Sequence, residues 1–204
     1  MPTQCAHFAH LETRLTDLRV KFLDDQINAE TADPITFSPD LDSIAAFRLL
    51  MHAEIEDFLE RKAKENLDRI NFQLVGSTAG SSRIFPELFY IAAVVNRPLD
   101  SAHAFDVVAL KGHISNMIGT ARGIIKENNG IKEGSFNALS VFAGKTADEI
   151  DSTLSASLNS YGKSRGDVAH QSTRHSSTIN APSAEFASAK DLVEGLALYF
   201  DLTK

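Results

Sequence analysis

The sequence predicts an all-α protein, organised as an up-and-down helical bundle with additional short helices. Two observations carry that expectation. Apolar residues recur at spacings of three and four in every clearly patterned segment, and no run alternates apolar with polar residues as a half-buried strand would. At 204 residues the chain fits one domain, 1–204, long enough to bury roughly 70% of its unfolded surface without disulfides.

Phe8, Leu11, Leu15, Leu18 and Phe22 form a narrow apolar seam, so a helix is expected over about 5–30, ended by Asp33-Pro34. The next helix is expected to open at Ser38-Pro39-Asp40, with Ser38 as cap and Pro39 in the first position. Its core face reads Leu41, Ile44, Phe47, Met51, Ile55, Phe58 and Leu59. A long loop is expected over about 71–83, where Gly76 to Arg83 is rich in Gly, Ser and Thr. A shorter helix follows from about Pro86 to Asn96, closed by Arg97-Pro98. Asp100 is the expected cap of a long helix that stops at Asn128-Asn129-Gly130. Thr146 and Glu149 have the spacing of a capping box, with Ile150, Leu154, Leu158 and Tyr161 forming one face behind it. After a second long loop, about 171–181, Pro182-Ser183 opens the last helix. Its stripe is Phe186, Ala189, Leu192, Val193, Leu196 and Phe200.

Composition narrows function. The lone cysteine, Cys5, cannot form an internal bridge and points to a reducing, cytoplasmic setting; near the terminus it is not read as a nucleophile. No basic flank and apolar core mark a signal peptide. No apolar run approaches the roughly 20 residues of a membrane span, so no membrane partner is expected. The net charge of −7 argues against a generic nucleic-acid coat. Charge is uneven, however: residues 1–70 hold 14 acids and 8 bases, whereas 160–180 hold Lys163, Arg165 and Arg174 against Asp167 alone, with His170 and His175 beside them. A small cationic site on an acidic body suits an enzyme gripping one or two phosphates.

The segment Tyr161-Gly162-Lys163-Ser164-Arg165-Gly166-Asp167-Val168-Ala169-His170 carries the chemistry. Arg, four residues, then His, just before the final helix, resembles the Arg-x4–6-His motif of the HEPN superfamily. Phe47 to Leu59 resembles the corresponding helix of its RiboL-PSP-HEPN branch. The likeness covers about residues 5–204 in layout and two short segments in residue detail. The spacing alone has little specificity. Ten arginines, seven histidines and three permitted spacings give about one match by chance, and Arg97 with His103 also fits. Arg97 sits at a Pro-marked helix break, whereas Arg165 lies between two amphipathic helices, as in the family. The competing reading of Arg165 and His170 is a solvated helix end with a stray histidine.

The resemblance implies a HEPN-like helical fold and a metal-independent endoribonuclease without cofactor, with Arg165 and His170 catalytic. It also implies an RNA substrate, a homodimer with a composite site, and a role as toxin or antiviral defence effector. A neutralising antitoxin or regulatory partner protein belongs to the same expectation. The alternative is a non-catalytic HEPN module that binds a nucleotide or a protein. The residues suit proton transfer at a phosphate. An unperturbed histidine titrates near 6.5, and an arginine keeps its charge and offers a planar fork of donors. Five residues at 100° each put Arg165 and His170 about 140° apart on one helix. Either the helix ends within Gly162 to Gly166, or two copies of the motif face each other. The chain departs from the family in having Gly166 where a polar residue is common after the arginine. It also has Ser172 where some members carry a modifiable tyrosine two residues after the histidine.

Supporting or RNA-contacting roles are expected for Asp167, Glu56, Lys163, Arg174 and His175. His52 and Glu56, one turn apart, have a spacing that could bind metal, but no third ligand accompanies them, and no metal is expected. Glu56 is instead a candidate to orient the Arg165/His170 site. Gly76 to Ser82 lacks the lysine of a phosphate-binding loop.

Overall fold

The computed structural model describes residues 5–75, 87–98, 106–170 and 179–202, with Val75 and 167–170 described by their backbone alone. Among them are eight α-helices and no strand: α1 (Ala6–Phe22), α2 (Asp24–Ala32), α3 (Leu41–Ile70), α4 (Glu87–Val94), α5 (Val107–Lys126), α6 (Glu133–Phe142), α7 (Ser152–His170) and α8 (Pro182–Tyr199). The protein is therefore all-α. The residues group into two compact units, one of Met1–Phe58, Gly130–Glu133 and Asp151–Lys204, the other of Leu59–Asn129 and Gly134–Ile150.

In the first unit the expected seam is buried at Phe8, Leu11, Leu15 and Leu18. It does not continue as one helix. The chain breaks at Leu23, which has non-helical dihedrals and is fully buried, while Phe22 is only half-buried. One added residue of phase thus moves the core contact from Phe22 to Leu23. On α3 the core face Ile44, Phe47, Met51, Ile55, Phe58 and Leu59 is buried as the spacing predicts, with Leu41 half-buried. Its cap is Asp40, not Ser38: the Asp40 carboxylate accepts from the backbone N–H groups of Asp42 and Ser43 and from the Ser43 hydroxyl. A carboxylate is the stronger acceptor and carries the charge that a helix N-terminus favours.

The last helix, α8, begins at Pro182 with no side-chain cap of its own. Glu30 of α2 accepts from both the backbone N–H (3.1 Å) and the hydroxyl (2.9 Å) of Ser183, satisfying a free donor of that first turn. Behind it Ala189, Leu192, Val193 and Leu196 are buried. Phe58 meets both Phe8 and Phe200 edge-on at 5.9 Å, an arrangement worth about 1 kcal/mol per pair beyond area burial.

In the second unit, the rest of α3 continues into a π-helical turn, Asn71–Val75, where a loop was expected. Helix α4 ends on Asn96 in the left-handed region, φ 52°, with the Arg97 N–H bonded back to Ala92. Helix α5 is capped by Asp106, which accepts from Val108 and Ala109; Asp100, the expected cap, lies outside the described residues. Asp106→Ala should cost about 1 kcal/mol in urea denaturation; no change would mean that the cap is dispensable. Sequence reading passed over α6, although Phe136, Leu139, Val141 and Phe142 are buried there. The Thr146/Glu149 capping box forms, but on a single 3-10 turn, Ala147–Glu149. Helix α7, which belongs to the first unit, is opened instead by Asp151, which accepts from Thr153 and Leu154.

Candidate functional site

Three polar residues of α3, Arg48, His52 and Glu56, fall four apart and share one stripe along the helix. Arg48 is 1% exposed and makes a two-pronged pair with Glu185 of α8, Nε at 2.8 Å and Nη2 at 2.5 Å. Its Nη1 also reaches the Ser164 carbonyl on α7 at 3.5 Å. Glu56 accepts from the backbone N–H of Gly130, a residue at φ 129° that a side chain would strain.

His52 sits between these two, 2% exposed. Two glycines let backbone approach its ring: atoms added at the Cβ positions of Gly130 and Gly162 would lie 3.8 and 3.7 Å from Nε2. At Gly162 such an atom would also meet the Lys132 stem at 3.3 Å, so a side chain there would push that stem by a few tenths of an ångström. Burial, with help from the Arg165 and Lys132 charges, depresses the His52 pKa from 6.5 to about 4. The ring is therefore neutral at pH 7, and the Glu56 oxygen 3.8 Å from its Nδ1 is a neighbour rather than an ion-pair partner. Nδ1 is buried without a hydrogen bond.

This has a measurable sign. In the unfolded chain the ring takes up a proton as pH falls through about 6.5, while the folded ring refuses it until about 4. Stability is fully present above that window and is lost as pH falls through it, by roughly 3 kcal/mol in total. Denaturant titrations at pH 7 and pH 4 should show a His52→Leu variant losing that much less than the parent. Equal losses in both would remove His52 as a source of acid sensitivity.

Of the residues singled out in the sequence, Arg165, Lys163 and Glu56 are described in full. Arg165 is half-buried and lies within electrostatic reach of His52. Lys132, which sequence reading missed, also acts on His52, from 33 residues before Arg165; nothing in its local sequence marks it. Among the described residues none of Arg165, Lys132 and Lys163 has a carboxylate partner, whereas Arg14, Arg19, Arg48, Arg69 and Arg122 are each paired with one. Glu56 lies beside His52, as a member of the stripe. Asp167 and His170 are in α7 by their backbone, and Arg174 and His175 lie outside the described residues.

Helix α7 runs unbroken from Ser152 to His170. The alternative in which it ends within Gly162 to Gly166 is thus overturned, and Arg165 and His170 sit about 140° apart around one helix. Gly166 adds no crowding, since an atom at its Cβ position would meet nothing within 4 Å. No helix among the described residues is long and apolar enough to cross a membrane. Among the same residues no group of three His, Cys, Asp or Glu side chains gathers as a metal site. No protein-family model matches the chain, and no curated protein or solved structure matches it.

Proposed function

We propose that the chain is a metal-independent endoribonuclease of the HEPN type, active as a homodimer and serving as a toxin or antiviral effector, with Arg165 and His170 as its catalytic residues. One observation carries the reading. In a chain of net charge −7, Arg165 is half-buried, acts with Lys132 on the same buried His52, and has no carboxylate partner among the described residues. An arginine with no carboxylate partner among the described residues is available to an outside anion, and its planar fork fits a phosphate. His170 supplies the proton transfer. The ribose 2′-oxygen attacks the adjacent phosphorus as its proton leaves to a base, and the bond to the 5′-oxygen breaks as that oxygen is protonated. The products are a 2′,3′-cyclic phosphate and a 5′-hydroxyl. The 140° separation on an unbroken helix favours two chains, each giving one half of a site.

The test is incubation with total RNA in excess EDTA, reading fragment ends for cyclic phosphate. Cleavage that survives the chelator is expected. Intact RNA after hours at micromolar protein would remove the proposal. The second reading, a non-catalytic HEPN module that binds a nucleotide or a protein, is favoured by Gly166 in the motif and by the acidic net charge of −7.

A further inference from the structure

In the first unit two cations converge on Gly162 of α7. An atom at the Gly162 Cβ position would lie 3.3 Å from Cγ of Lys132, 3.6 Å from Ile131 and 3.7 Å from Nε2 of His52. The Lys132 stem thus lies against the helix where α7 carries no side chain. Arg165 stands three residues further on, a neighbour of Gly162 on the same helix face. Long helical side chains lean back over the turn before them, which inclines the guanidinium toward Gly162. Both charges are felt by the one imidazole of His52.

Lys132 is not a lysine on a loose surface. The backbone before it is fixed twice: the Gly130 N–H donates to the Glu56 carboxylate, and Ile131 is fully buried. Lys132 itself is exposed, so its stem is held while its ammonium faces water. Among the described residues neither Lys132 nor Arg165 is paired with a carboxylate. Two like charges beside a neutral ring repel, and partial burial weakens the screening that water and salt would give them. An anion seated between them turns that repulsion into attraction. The two cations differ in a way that suits a strand with successive phosphates. Arg165 offers a rigid planar fork for one phosphate, and Lys132 a compact charge on a flexible stem for the next.

We infer that Lys132 is a second substrate-binding residue of the Arg165 site, holding the RNA phosphate next to the one that Arg165 grips, an assignment that rests on the ribonuclease reading for its substrate. The ammonium donates hydrogen bonds and takes no part in the proton transfer. It therefore holds substrate and transition state alike, and belongs to affinity rather than to turnover.

Binding of a short 2′-O-methyl oligouridylate to the full chain tests it, because a blocked 2′-oxygen cannot attack and the probe stays whole. Lys132→Met keeps a stem against Gly162 and loses the charge. Fluorescence anisotropy is expected to show it binding roughly threefold to tenfold more weakly than the parent, with the log–log salt slope reduced by about 0.7. Lys132→Arg should keep the parent's slope. In cleavage of unmodified RNA, Lys132→Met should raise KM by a similar factor and leave kcat within about twofold. A merely structural role would instead move kcat and the urea midpoint, and would not separate methionine from arginine. Parent-like affinity and slope in Lys132→Met, an equal loss in Lys132→Arg, or a loss confined to kcat would each overturn the inference, as would a parent that binds no probe. A parent that cleaves RNA while Lys132→Met matches it removes the role of Lys132 alone. A parent that binds the probe through Lys132 yet never cleaves removes the nuclease reading alone.

Discussion

His170→Ala is expected to slow RNA cleavage by roughly 10²–10⁴, the usual loss when a proton-transfer group is removed. Arg165→Ala is expected to fall by a similar order, because a preorganised charge partner at the transferring phosphate is worth about 3–4 kcal/mol in a site shielded from water. Neither residue belongs to the apolar faces read from the sequence, so both variants should keep the parent's circular dichroism and urea midpoint. The second Arg–His spacing in the chain supplies the control. Arg97 is held by Thr120 at 3.0 Å, and Arg97→Ala with His103→Ala should leave cleavage largely intact. If that pair kills activity while Arg165→Ala and His170→Ala are silent, the wrong motif has been chosen.

Glu185→Ala should produce the largest loss of stability. It leaves the Arg48 guanidinium, 1% exposed, without the carboxylate that neutralises it. Removing one member of a buried pair costs about 3–5 kcal/mol, because the remaining charge is desolvated and uncompensated. The thermal midpoint should drop by roughly 10 °C. Arg48→Met combined with Glu185→Leu should recover most of that loss, since replacing both charges by apolar groups of similar volume is often neutral. Urea denaturation of the three proteins decides the matter. A Glu185→Ala loss below about 1 kcal/mol would mean that water reaches the pair.

Much of the helical framework was legible because burial imposes a local rhythm. Phe8 to Leu18 and Ile44 to Leu59 are buried where their spacing places them. The errors came where a neighbouring group offered a better partner than the first candidate in line. Asp40 outcompetes Ser38 as a cap, and Leu23 takes the core place expected of Phe22. Helix α6 was missed because it is 10 residues long and lies between two stop signals. The site was half legible. His52 and Glu56 were visible as a one-turn pair, and Arg48 completes their ladder one turn earlier, a pattern that spacing alone could have found. Its pairing with Glu185, 137 residues away, could not be read locally, because only the tertiary fold brings two such distant charges into one dry place. Lys132 was invisible for the same reason.

The unbroken run of α7 has a genetic consequence. If each reaction centre draws its arginine from one chain and its histidine from another, two inactive alleles can rescue each other. A chain lacking Arg165 still donates His170, and a chain lacking His170 still donates Arg165. Co-expressed, they should form mixed dimers with one intact centre apiece, restoring roughly a quarter of the parent activity when subunits assort at random. Centres assembled within single chains would give no rescue in the same cross.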